Sequence, residues 1–242
     1  MNPIAETEAL TPAGATGVIG AMDNEIALLR ENMQIQSTET ITGMTFYAGS
    51  LNGHPMVLVQ CGVGKVCAAI CAQTLILRYG VKRVINLGVA GALDKHVNVG
   101  DIVISTDVVQ HDFDTGTLAV KHRDIPATKI FQADADLHRR ALEAAKSVAA
   151  KVNVFEGRIC SGDQFIAGHA KKKAITDRFG GFCCEMEGAA IAQTCGMNEV
   201  PFVIIRAISD KADDSGEISF AAFANAVARR SAAIVSHMLE NY

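Results

Sequence analysis

The chain predicts an α/β fold: a single domain with a central mixed, twisted sheet flanked by helices. Short apolar runs of strand length alternate with longer amphipathic segments, the pattern of strands interleaved with helices. The run RVINLG at 83–88 is almost continuously apolar, as in a strand covered on both faces. Hydrophobic residues make up 49% of 242, enough for one large core. No internal repeat, low-complexity segment or linker divides the chain.

In order, GVIGAM at 17–22 reads as a buried strand ending in a tight turn, followed by a helix over 23–32. Residues 44–51 and 55–61 form a hairpin around Asn52-Gly53, a dipeptide suited to a two-residue turn with positive φ. A helix over 65–79 meets Gly80, a natural C-cap. Strands follow at 83–88 and 101–109. Residues 112–129 lack periodicity and read as a long loop, a length often tied to function. A helix over 133–150, a strand over 153–161 and a helix over 171–179 closed by Gly180-Gly181 come next. A short strand at 182–184 leads to a helix over 186–195, then a strand over 201–208. In the last helix, 219–239, Phe220, Phe223, Val227, Ile234 and Met238 fall on one face, expected to be buried. The single domain is expected to span 17–242, with 1–16 an N-terminal extension.

Composition excludes several classes. Net charge is -4 with mixed signs, no basic patch stands out and Trp is absent, so no nucleic-acid partner is expected. No run of some 18 apolar residues exists, so no membrane span is expected, and MNPIAETEALTPAGA lacks the parts of a signal peptide. The seven cysteines are odd in number, contain no CxxC and sit mostly in apolar runs, as reduced core residues of a cytoplasmic protein do. No Cys/His spacing suits zinc. Gly62-Val63-Gly64 is not a dinucleotide fingerprint, because Cys67 takes the third glycine's place. Val59 and Val66 rule out a Walker A loop at Gly64-Lys65. Neither metal nor organic cofactor is expected.

Three acids sit at the ends of apolar strands: Glu25 after GVIGAM, Glu187 after GFCC and Asp210 after FVIIRAIS. In open α/β sheets, ligands bind beyond the strand carboxyl ends. Each acid also has an ordinary explanation. Glu25 and Glu187 would favour a helix dipole from its first turn, and Asp210 could begin a turn. Glu185 and Asp213 read as acids of no special role, and Ser161-Gly162-Asp163 as a turn.

The segments GAMDNEI, CGVGKV, NLGVAGAL, VGDIVIS, SGDQFI, CEMEGAA and VIIRAISDKAD, in that order, resemble the 5′-methylthioadenosine/S-adenosylhomocysteine nucleosidases of the nucleoside phosphorylase superfamily. The resemblance runs from about Gly17 to the C-terminus. It implies a nucleoside phosphorylase-like fold and hydrolysis of the N-glycosidic bond of an adenine thionucleoside, a reaction of methionine salvage. By the same resemblance Asp210 is the general acid toward adenine N7, and Glu25 orients and deprotonates the attacking water. Glu187 binds the ribose hydroxyls with Met186 beside it. Phe165 stacks on adenine, and the Ile166 backbone reads its N1 and N6 edge. Ser209 and Arg206 support Asp210 and the water site, while Met22, Val63 and Phe220 line the alkylthio pocket. A homodimer is implied, with a partner loop containing Phe113, Thr115 and Leu118 over each site.

The chemistry suits these residues. Protonation at N7 turns adenine into a neutral leaving group, so an Asp must keep a proton near neutral pH, through burial or neighbouring charge. The sugar becomes oxocarbenium-like, and nearby carboxylates stabilise it. Phosphorylases of the superfamily surround phosphate with arginine and serine, whereas Glu25 would repel that anion here. Where relatives often read GSAGG, Val89 replaces the serine hydroxyl. Three alternatives stay open at this level: a nucleosidase for another adenine nucleoside such as aminodeoxyfutalosine, a phosphate-dependent phosphorylase, and a catalytically silent nucleoside-binding protein.

Overall fold

The computed structural model describes residues 14–116, 129–149 and 151–240. The chain opens with β1 (Thr16–Gly20), then α1 (Asp23–Asn32). Strands β2 (Gln34–Ile41), β3 (Met44–Leu51) and β4 (His54–Gln60) form an antiparallel meander. Its two turns, Thr42-Gly43 and Asn52-Gly53, have positive φ at both residues, which matches the right-handed strand twist. Helix α2 (Lys65–Tyr79) stops at Gly80, whose φ of 59° is the left-handed C-cap conformation.

The second half begins with β5 (Arg83–Ala92), β6 (Ile102–Gln110) and β7 (Ile130–Gln132). It continues through α3 (Ala135–Val148), β8 (Val154–Ser161), α4 (His169–Phe179), β9 (Cys183–Glu185) and α5 (Gly188–Met197), and ends with β10 (Phe202–Asp210) and α6 (Gly216–Glu240). Strands β1, β5 and β10 are buried almost throughout, because helices cover both faces of the sheet. One core lies under α2 and α5, around Leu75, Cys71 and Ile191; the other lies under α1, α3 and α6, around Leu29, Ala141 and Ile234. Adjacent Val18 and Ile19 of β1 point into opposite cores. All seven cysteines except the half-buried Cys67 are buried.

The sheet is not fully open. β10 pairs in parallel with β5 and antiparallel with β6, and β6, β8 and β9 lead back to β5. These five strands close a ring, from which β1, β4, β3 and β2 extend as a wing. The crevice beyond an open sheet is thus replaced by the rim where ring and wing meet. A bulge in β10 leaves Ser209 as an extra residue between Ile208, opposite Ala90, and Asp210, opposite Gly91.

Several sequence expectations change. β2 and β7 were not foreseen, β5 continues to Ala92, and β10 includes Asp210 itself. Phe223 is 47% exposed, whereas Val227, Ile234 and Met238 are buried, because the buried stripe of α6 passes through Ala224 and leaves Phe223 on its flank. Residues 1–13 of the N-terminal extension and 117–128 of the long loop, Leu118 among them, lie outside the described residues. Among the described residues no helix is long and apolar enough to cross a membrane.

Candidate active site

A cavity of about 420 Å³ opens at the junction of ring and wing. Met22, Glu25, Val63, Val89, Phe165, Met186, Glu187, Ser209, Asp210 and Phe220 line it. Ile166 lines a small adjoining recess with Gly91, Met186 and Asp210. Phe165 and Phe220 meet edge to face, 5.6 Å between centroids and 78° between planes. The site therefore gathers residues separated by nearly 200 positions in the chain.

Glu25 is the third residue of α1. Its Oε2 accepts the Ala21 and Met22 N–H groups at 2.7 and 3.0 Å, and its Oε1 accepts the Val89 N–H at 2.9 Å. The Met22 bond also satisfies a helix-end donor, so the same carboxyl caps α1 and lines the cavity. A Cβ on Gly88 would lie 2.6 Å from Glu25 Oε1, so only glycine admits the carboxylate. Burial pushes the Glu25 carboxyl above its usual range, outweighing Arg206 and the three backbone donors.

Asp210 follows the bulge. Its Oδ2 accepts the Ser209 hydroxyl and its Oδ1 the Ala212 N–H, each at 2.8 Å. Burial again holds the carboxyl above its usual range, against both hydrogen bonds. Gly91 leaves the room it needs, since a Cβ there would sit 2.7 Å from Oδ1. Glu187 is the N-cap residue of α5, and its Oε1 accepts the Gly64 N–H at 2.8 Å. Burial, then the charge of Glu185, pushes its carboxyl up to about 8.

Arg206 does not line the cavity. It is 1% exposed and lies behind the wall, ion-paired to Glu185 and hydrogen-bonded to Asn86 Oδ1 at 2.5 Å. It therefore acts on the carboxylates through space and makes no hydrogen bond to Asp210. Asn86 in turn donates to the Ile19 carbonyl at 2.9 Å, tying β5 to β1.

Glu185, read from sequence as incidental, is the hub of this wall. Besides Arg206 it accepts the Ser161 hydroxyl, the Glu187 N–H at 3.1 Å and the Gly188 N–H at 2.7 Å. Burial pushes Glu185 up, but Arg206 and the Ser161 hydrogen bond outweigh it and hold the carboxyl below its usual range. Ser161-Gly162-Asp163 is likewise more than a turn. Asp163 accepts the Lys65 N–H at 2.8 Å, and Lys65 Nζ reaches Asp112 at 2.6 Å, fastening this loop to the Gly62–Gly64 segment. Asp213 keeps its ordinary reading, accepting the Ser215 N–H and hydroxyl on the surface. Among the described residues, no cluster of His, Cys, Asp and Glu has the arrangement of a metal site.

Comparison with known proteins agrees with this geometry. The phosphorylase superfamily profile matches residues 15–240. A 5′-methylthioadenosine/S-adenosylhomocysteine nucleosidase of Psychromonas ingrahamii is 39% identical over 229 residues, covering 93% of this chain and 98% of that one. The crystal structure of the Neisseria meningitidis nucleosidase of that name, in complex with methylthio-immucillin-A, superposes with a TM-score of 0.88 at 39% identity, covering 95% of this chain and all of that one (100%). A futalosine hydrolase of Helicobacter pylori superposes with a TM-score of 0.86 at 29% identity, over 94% and 98% of the two chains. With a family profile over residues 15–240 and relatives of 39–40% identity over more than nine-tenths of the chain, the chain belongs to the phosphorylase superfamily and, within it, to the 5′-methylthioadenosine/S-adenosylhomocysteine nucleosidase family.

Proposed function

We propose that the protein is a hydrolase that breaks the N-glycosidic bond of 5′-methylthioadenosine and S-adenosylhomocysteine, releasing adenine and the thioribose. One observation carries this reading: two buried carboxyls, Asp210 and Glu25, face a single cavity that no cationic side chain lines among the described residues. Asp210, whose carboxyl burial holds above its usual range, gives a proton to adenine N7 as the bond breaks. Positive charge then develops on the sugar, and Glu25 takes a proton from the water that attacks it. Glu187 accepts the ribose hydroxyls, with Met186 beside it. Phe165 stacks on adenine, and the Ile166 backbone reads its edge. Met22, Val63 and Phe220 receive the alkylthio group.

Water is favoured over phosphate because the Arg206 guanidinium is committed to Glu185 and Asn86 behind the wall. Glu25, which must be ionised to act as the base, occupies the rim where an anion would have to sit and in that form opposes phosphate. Val89 replaces a serine, yet the contact it contributes is its backbone N–H to Glu25, which any side chain at this position leaves intact.

The protein is also proposed to act as a cytoplasmic homodimer in methionine salvage. Val66, Ile70 and Leu77 form an exposed apolar stripe on α2, next to exposed Met197 of α5, which supports the pairing of two copies on this face. Exposed Val63 and Phe165 leave the cavity wall open, as expected where a partner loop completes it.

Adenine release from methylthioadenosine, with and without phosphate, tests the reading. Phosphate-independent release that falls by about 10²–10⁴ in Asp210→Asn supports it. Turnover only with phosphate makes the protein a phosphorylase. Release from aminodeoxyfutalosine alone would instead favour the activity suggested by the futalosine hydrolase likeness.

A further inference from the structure

A second cavity, of about 360 Å³, lies at the same rim as the candidate active site, shares no lining residue with it and is not used by the chemistry above. Asp23, Arg30, Tyr47, Gln60 and the Gly62 backbone contribute to its lining. The two cavities meet along the chain at two places: Ala21 and Met22 line the first and Asp23 the second, while Val63 lines the first and Gly62 the second. Both lie on the rim formed by the carboxyl ends of β1, β4, β5 and β10, which run parallel. Along that rim Asp210 of β10 stands at one end and Glu25 and Met22, after β1, in the middle. Gln60 and Gly62, after β4, lie at the far end. On the hydrolase reading, with the base at Asp210 and the sugar at Glu25, a 5′ substituent that continues along the rim in the same sense reaches this second cavity.

The lining changes character at the boundary. Met22, Val63 and Phe220 are apolar and suit a thioether, whereas the next cavity offers one cation and one anion. Arg30 lies 5.8 Å from the centroid of the Tyr47 ring and is paired with Asp23 at 2.6 Å. Asp23 is 62% exposed and Arg30 30%, so the pair is half in water and holds together only weakly. An incoming zwitterion can exchange with it: a carboxylate to the guanidinium, an ammonium to the Asp23 carboxylate and the Gln60 side-chain oxygen. The fork of Arg30 suits a carboxylate in particular.

We propose that this cavity binds the α-amino acid end of an S-adenosylhomocysteine-type substrate, making Arg30 and Asp23 specificity-determining residues that read the tail and leave the bond-breaking chemistry alone. The proposal rests on the hydrolase reading above. Methylthioadenosine ends in a methyl group, reaches only the apolar section and is indifferent to the pair.

The test is the ratio of kcat/KM for S-adenosylhomocysteine to kcat/KM for methylthioadenosine, in the full-length native protein, Arg30→Met and Asp23→Asn. A decarboxylated S-adenosylhomocysteine, which keeps the amine, serves as a third substrate. The expected result is a fall of about tenfold in the ratio for Arg30→Met, the size of one charge-assisted hydrogen bond. The native preference for S-adenosylhomocysteine over its decarboxylated analogue should vanish in the same variant. Asp23→Asn, a milder change at an exposed position, should lower the ratio in the same direction. An unchanged ratio in both variants, with methylthioadenosine still cleaved, overturns the proposal and leaves the hydrolase reading standing. Failure of the native protein to cleave either nucleoside overturns both.

Discussion

At the scale of the residue, the site is a cluster of carboxyls at unequal charge. Glu185 is held ionised against Arg206, while Glu25, Glu187 and Asp210 are pushed toward the neutral form by burial. One guanidinium cannot balance four carboxylates in a dry wall, so protons must stay on some of them. This has a cost that depends on pH. Glu187 binds its proton more tightly in the folded chain than in the unfolded one, where its pKa is near 4.5. Its contribution to stability is complete below that value and is lost as pH rises through about 8. Thermal midpoints measured by calorimetry from pH 5 to pH 8 should therefore fall, and Glu187→Gln should flatten the slope. An identical slope in the variant would remove Glu187 from the account.

The three carboxyls that line the cavity were legible at this scale, since Glu25, Glu187 and Asp210 end apolar strands within recognisable motifs. Glu185 was not. It lies two residues from Glu187, and its meaning depends on Arg206, 21 positions further on in another strand, a pairing that no local spacing reveals. The resemblance implied that Arg206 supports Asp210 and the water site, whereas its side chain turns to Glu185 and Asn86.

At the scale of the element, glycines decide where the carboxyls can sit. Gly88 of β5 lies against Glu25, and Gly80 caps α2 far from the cavity. Gly88→Ala would drive a methyl to within 2.6 Å of Oε1 and displace the carboxylate. A loss of about 10² in kcat is expected, since misplacement by about 1 Å can cost that much. Gly80→Ala meets nothing within 4 Å but must adopt φ near 59°. It should cost about 1 kcal/mol in denaturant unfolding and leave kcat unchanged. Equal effects of the two on kcat would refute this division of labour.

Elements with a strong period or a definite punctuation mark were readable. The expected bounds of α1, α2 and β3 match the structure residue for residue, fixed by a turn, by Gly80 and by Asn52-Gly53. β2 escaped because its sequence, QIQSTETI, is polar on both faces and none of its residues is buried, so no apolar alternation marks it. β7 is three residues long, below the length at which any period shows. The β10 bulge depends on pairing with β5 and has no signature in IRAISD alone.

At the scale of the whole molecule, the exposed stripe on α2 bears on assembly. If two copies meet there, Leu77→Asp should convert a dimer to a monomer of 25.6 kDa in light scattering, and activity should fall as the open wall near Val63 loses its cover. A variant that stays dimeric would place the contact on another face. The alternation of strands and helices was enough to predict a mixed sheet between helical layers. The closure of five strands into a ring was not foreseeable, because it rests on β10 taking two neighbours at once.

That closure separates the fates of the two proposed catalytic groups. The proposed acid, Asp210, belongs to a loop of strands without a loose end. The proposed base, Glu25, follows the first strand of the wing, whose outermost strand, β2, pairs on one side only among the described residues. Fraying starts where backbone pairing is missing on one side, and so runs inward from β2 through β3 and β4 toward β1. On the proposed roles, a partly melted molecule is expected to lose its grip on the attacking water while its proton donor is still in place, and so to hold a nucleobase after it has stopped releasing one.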